Sequence, residues 1–87
     1  MTPAQDMTIR VKLFAVAKDL AARDELAIEL PNGTTIAGLR EKVASQYPAL
    51  KQVLTHSLWA VDASYAEDEL VLTEESNVAL IPPVSGG

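Results

Sequence analysis

The 87-residue sequence has no cysteine and one histidine, His56. The first absence removes disulfide staples, thiolate metal sites and cysteine nucleophiles together, so any sulfur chemistry must use sulfur brought from elsewhere. His56 lies in a connector with no plausible nucleophile near it, and it reads as a solvated loop residue and not as a catalytic base. Basic residues are also scarce, with seven Lys and Arg against twelve Asp and Glu and a net charge of -5. That balance disfavours nucleic acid as a partner, since such binding draws its affinity from cations that neutralise phosphates. An acidic surface suits solubility and a basic protein partner instead. No apolar run approaches membrane-spanning length, and the N-terminus lacks the basic and hydrophobic regions of a signal peptide. A cytoplasmic protein that does not engage the membrane is expected. There is no phosphate-binding glycine loop and no cluster with metal-ligand spacing, so neither a metal nor a bound cofactor is expected. The carboxylates fall in runs, Glu67-Asp68-Glu69 and Glu74-Glu75, that read as a solvated acidic face. Taken alone, the domain has almost nothing to catalyse with.

What is present is a pattern for one small domain whose 48% apolar content suffices for a core. Residues 1–6 are polar and aperiodic and are taken as a loose extension, with the folded domain spanning 7–81. Thr8 to Phe14 alternates, placing Ile9, Val11 and Leu13 on one face of a strand and Arg10 and Lys12 on the other. Phe14 falls on the polar face, where an aromatic can be half of a partner patch. Ala15 to Arg23 suits a short helix or turn. Leu26, Ile28 and Leu30 repeat the alternation and predict a second strand, a hairpin partner of the first, stopped by Pro31-Asn32-Gly33. Thr34 or Thr35 can cap a helix whose apolar positions are Ile36, Leu39, Val43 and Tyr47, ended by Pro48. Ala49 to Ser57 reads as an irregular connector. Leu58 to Asp62 predicts a third strand with Trp59 and Val61 facing inward. Tyr65 follows a turn, Leu70 and Leu72 suggest a short extra strand, and Thr73 to Ser76 makes the last turn. In the final strand Val78 and Leu80 point in, so Ile81 points out, as Phe14 does. The order predicts an α+β roll, a mixed sheet with one main helix across it.

Residues 82–87 are the most distinctive stretch. Pro82 and Pro83 lack backbone donors and have a fixed φ, so they end sheet pairing and start a stiff, extended stalk through Val84, Ser85, Gly86 and Gly87. Four residues can reach roughly 13 Å, far enough to enter another protein's active site. With no Cβ on its last two residues, the thread can fit a narrow channel. A frayed tail accounts for the glycines but poorly for the Pro-Pro-Val before them.

Three stretches carry a family resemblance: Ile9 to Ala15, Leu58 to Asp62 and, above all, Val78 to Gly87. Together they resemble the small, sulfur-carrying subunit of molybdopterin synthase over residues 7–87. The resemblance implies a ubiquitin-like β-grasp fold, in agreement with the roll. It also implies that an E1-like activating enzyme uses ATP to adenylate Gly87, and that a sulfur donor protein then converts the carboxylate to a thiocarboxylate. By the same resemblance, the tail from Pro82 to Gly86 is inserted into the large catalytic subunit of a heterotetrameric synthase, where the sulfur passes to cyclic pyranopterin monophosphate. Phe14, Tyr65 and Ile81 match the partner-facing apolar positions. Departures from the family pattern are Asp62 where asparagine is common and Glu75-Ser76-Asn77 where a glycine-led turn is common; the second predicts a turn without positive φ at Glu75. Alternatives are a β-grasp carrier for thiamine, cysteine or transfer-RNA thiolation, a ubiquitin-like modifier amide-linked through Gly87, and an interaction domain with an inert tail.

Overall fold

The computed structural model describes residues 6–82. Pro83 to Gly87, which include most of the expected tail, lie outside the described residues, as do residues 1–5. Strand β1, Asp6–Leu13, alternates strictly between exposed and buried positions, and β2, Glu25–Pro31, does the same. They pair antiparallel with Ile9 opposite Ile28 and Val11 opposite Leu26, which places every apolar side chain of both strands on one face. β1 already begins at Asp6, inside the stretch expected to be loose, because Asp6 pairs with Pro31. The connection between the two strands is too long for a tight turn and folds as helix α1, Ala15–Ala21. Ala22 closes that helix in the left-handed conformation, where its N–H donates to the Asp19 carbonyl and that of Arg23 to Lys18.

The main helix, α2, spans Ile36–Gln46 and buries Ile36, Leu39 and Val43. Thr35 is its N-cap, with its hydroxyl accepting from the Gly38 N–H at 3.4 Å. Tyr47 is the C-cap and Pro48 comes next, as the spacing predicts. The connector expected to be irregular is helical over much of its length. Pro48 opens a 3₁₀ turn, Pro48–Leu50, that runs into α3, Lys51–Leu54, and Leu50 and Leu54 are buried. Pro48 both ends one helix and starts the next, since its missing N–H costs nothing in a first turn.

Strand β3, Leu58–Val61, turns at Asp62 and Ala63 into β4, Ser64–Ala66. The short extra strand is therefore here, and not at Leu70 to Leu72. That second segment makes only an isolated bridge, Val71 to Thr35, with Leu72 buried and Leu70 partly exposed. The last strand, β5, is Val78–Ile81. It lies in the middle of the sheet, parallel to β1 and antiparallel to β3, in the order β2-β1-β5-β3-β4. α2 crosses the inner face and one core forms, joining Ile9, Val11, Leu26, Ile28, Trp59, Val78 and Leu80 to Ile36, Leu39, Val43 and Leu50. This is the mixed-sheet, one-main-helix β-grasp roll.

The loop from β4 to β5 is fastened to the start of α2. Two N–H groups that no helical carbonyl can reach, those of Ile36 and Ala37, donate to the Leu70 and Asp68 carbonyls at 3.0 and 3.1 Å. Arg40 grips the same loop through a two-pronged contact with the Asp68 carboxylate, at 2.8 and 2.9 Å. The hydrogen bond from Arg40 holds the Asp68 carboxyl below its ordinary value of 3.8, against the smaller opposing effect of desolvation. A lowered folded-state pKa means that the pair stabilises the fold above the ordinary value and that this is lost as the pH falls through the folded one. Asp68→Asn is thus expected to lower the thermal midpoint at neutral pH. Its gap to the parent should close as the pH is taken below 3.8. Absence of a gap at neutral pH would show that the loop is held by its backbone contacts alone.

Candidate functional site

The outer face of the sheet is built by the positions that alternate with the core. Along β5 these are Ala79 and Ile81, along β3 Leu58 and Ala60, and along β1 Arg10 and Lys12, with Phe14 just beyond the strand end. The ladder sorts them into rows. Ile81 pairs with Leu58, and Phe14 succeeds Leu13, whose parallel partner is Leu80, so Phe14, Ile81 and Leu58 form one apolar row. The next row runs Glu25, Lys12, Ala79, Ala60, Tyr65. Asn77 and Asp62 continue below: the Asp62 N–H donates to the Asn77 carbonyl at 2.9 Å, and the Asn77 N–H donates back to the Asp62 carboxylate at 3.1 Å.

Phe14, Tyr65 and Ile81 are the residues expected to face a partner, and all three line one depression together with Ala60, Ala63, Asn77 and Ala79. Phe14 is 47% exposed and Tyr65 73%, although both are apolar enough for a core. Sequence reasoning misses Leu58, 55% exposed, and the two alanines. Their signal is present in the chain, since fixing Trp59 inward sends Leu58 and Ala60 outward. Asp62 and Ala63 both have positive φ, 52° and 70°, which is the tight two-residue hairpin geometry that puts Tyr65 beside Ala60. Glu75 is absent from the positive-φ residues, in line with the turn expected there.

Ile81, the last residue of β5, lines this face. β5 ends at Ile81, as two prolines demand, but Pro82 is buried. The residue expected to begin the projecting stalk is instead seated against the domain, because it comes directly after a strand in the centre of the sheet. Pro83, Val84, Ser85, Gly86 and Gly87 fall outside the described residues. His56 is exposed at the end of α3, away from the outer face. Among the described residues no group of three or more His, Cys, Asp or Glu could hold a metal ion, and no helix is long and apolar enough to cross a membrane. The outer face is an apolar depression bordered by Lys12 and Tyr65.

Comparison with known proteins places the chain in a family. The model of the ThiS family matches residues 11–87. The chain is 35% identical over 83 residues to a molybdopterin synthase sulfur carrier subunit of Caenorhabditis elegans, covering 93% of this chain and 99% of that one. It is 30% identical over 79 residues to the same subunit of Arabidopsis thaliana, with 91% and 82% covered. Among solved structures, SAMP1 from Haloferax volcanii superposes with a TM-score of 0.81 at 23% identity, covering 92% of this chain and 99% of that one. A chain in the complex of subunits 1 and 2 of molybdopterin-converting factor from Helicobacter pylori gives 0.67 at 22%, with 93% and 100% covered. At such identities the two structures speak for the fold, while the family rests on the sequence matches. The chain belongs to the ThiS family and, within it, groups with the molybdopterin synthase sulfur carrier subunits.

Proposed function

We propose that this chain is the sulfur carrier subunit of a molybdopterin synthase. The observation that supports it is the position of Ile81. It is the last strand residue before the tail, and it lines the same depression as Phe14 and Tyr65. A protein seated on that depression is therefore beside the root of the tail and can receive the tail's end in its own active site. The partner proposed for it is the large catalytic subunit, as in the subunit 1 and 2 complex of the Helicobacter pylori factor. The assembly proposed is a heterotetramer in the cytoplasm.

The chemistry on Gly87 stems from the weakness of a carboxylate as an electrophile. Joining it to AMP, with pyrophosphate released from ATP, creates a good leaving group. Sulfide released by the donor protein then displaces AMP and leaves a thiocarboxylate. Inside the large subunit this soft nucleophile transfers its sulfur to cyclic pyranopterin monophosphate, and hydrolysis restores the carboxylate. The activating enzyme supplies ATP binding and the large subunit supplies the catalytic groups; this chain supplies the reacting end and the face that delivers it.

Intact mass spectrometry of the protein from its native host, before any reducing or alkylating step, tests the reading. A species with sulfur in place of one terminal oxygen, localised to Gly87 by fragmentation, is the expected result. Recovery of Gly87 in amide linkage to lysines of other proteins would replace this reading with a ubiquitin-like modifier. A thiocarboxylate that loses sulfur to a thiamine, cysteine or transfer-RNA acceptor and not to the pyranopterin would reassign the pathway.

A further inference from the structure

The outer face is not a uniformly greasy patch. Its centre is floored by two of the smallest side chains, Ala60 and Ala79, which pair across the β3–β5 ladder. Around them stand Phe14 and Ile81 on one side and Tyr65 at the far end, with Leu58 prolonging the wall opposite Ile81. Ala60 is only 8% exposed, although it alternates with the inward-facing Trp59 and Val61. Small residues between large ones make a hole, and holes in docking faces take knobs. A flat apolar surface would have been served as well by Val or Ile at both positions, which a strand favours over alanine.

The open side of the hole has a different character. Lys12 neighbours Ala79 in the β1–β5 ladder and shares an adjoining depression with Ala63, Asn77 and Ala79. Lys12 makes no ion pair among the described residues, although Glu25 lies opposite it. Arg10, two residues earlier on the same face, reaches Glu25 only at 3.9 Å and is 76% exposed. One cation, Lys12, thus adjoins the floor of the hole at Ala79 in a chain whose net charge is -5.

The geometry points to a socket: the Ala60–Ala79 floor accepts one apolar side chain of the large subunit, and Lys12 at its rim meets a carboxylate placed beside that side chain. This rests on the proposed sulfur-carrier role and adds to it the chemistry of the partner's contact. The partner segment is apolar at its tip and acidic on one flank, and the order Tyr65, hole, Lys12 fixes which way round it lies. Charge placed this way changes association rate and its salt dependence more than the lifetime of the complex.

Binding of the purified chain to the large subunit, followed kinetically at several salt concentrations, tests the socket. Ala79→Leu adds apolar area but fills the hole, and it should weaken binding at least tenfold while circular dichroism and the thermal midpoint stay with the parent. Ala79→Val, which suits a strand, should weaken it by a smaller factor and serves if the leucine variant folds poorly. Lys12→Glu should slow association severalfold and flatten its salt dependence with little change in dissociation. Equal or tighter binding by both Ala79 variants would overturn the socket, and an unchanged association rate for Lys12→Glu would overturn the flanking carboxylate. Phe14→Asp separates the two levels of the argument. If it too binds like the parent, the outer face is not the docking face at all, whereas loss of binding by Phe14→Asp with normal binding by Ala79→Leu leaves the face and removes the hole.

Discussion

Removal of Gly87 is expected to abolish sulfur transfer while leaving the thermal unfolding midpoint of the domain nearly unchanged. The core that holds the fold together is complete by Leu80, which is fully buried, and the sheet ladder by Ile81. Shortening the tail by one residue withdraws the reacting carbonyl by up to about 3.5 Å from any site built to receive it, and displacements of about 1 Å already cost on the order of a hundredfold in rate. The loss should therefore be all but total, although the variant should still bind the large subunit if the outer face is the docking face. Transfer in a reconstituted system, with unfolding followed in parallel, separates the outcomes. A large fall in the midpoint would make the last residue structural, and retained transfer would move the chemistry elsewhere.

The largest effect on stability is expected at Leu39. It lies in the first half of α2 with no exposed surface, in the same core cluster as Ile9, Ile28 and Leu80. Leu39→Ala deletes buried methyl groups and leaves a space that a sheet on one side and a helix on the other can only partly close, a change that costs about 2 to 5 kcal/mol. For a domain of this size the total stability is itself on the order of 5 to 15 kcal/mol, so the variant should be visibly destabilised in urea. A shift below about 0.5 kcal/mol, the scale of surface substitutions, would detach α2 from its place over the sheet.

How much can be read from the residues depends on how local each signal is. The alternation of Ile9, Val11 and Leu13, the helical spacing of Ile36, Leu39 and Val43, and the outward assignment of Phe14 and Ile81 each need only a neighbour or two in the chain. Features decided by distant contacts are harder to see. Leu72 and Leu70 alternate as a strand would, but the Leu72 N–H donates to the Thr34 carbonyl at 2.9 Å and Val71 finds a single bridge, so the segment caps α2 and does not extend the sheet. β4 has only three residues, with Ser64 and Tyr65 exposed, and owes its place to the hairpin at Asp62 and Ala63. In the connector, Pro48 reads from the sequence as a stop, when proline is equally a start. The hole at the candidate site is hidden for a related reason. Two alanines carry no pattern of their own, and they matter only because the β3–β5 register sets them side by side.

The central position of β5 has a consequence for how the protein is made. Its strand pairs with β1, at the opposite end of the domain's sequence, and with β3, so the sheet cannot close around Leu80 until residue 81 has cleared the ribosome. A nascent chain cut short upstream lacks the strand that joins the two halves of the sheet and has no finished face to show. Only a chain translated through β5 can assemble the outer face, so the finished face marks a copy made to the end of the last strand.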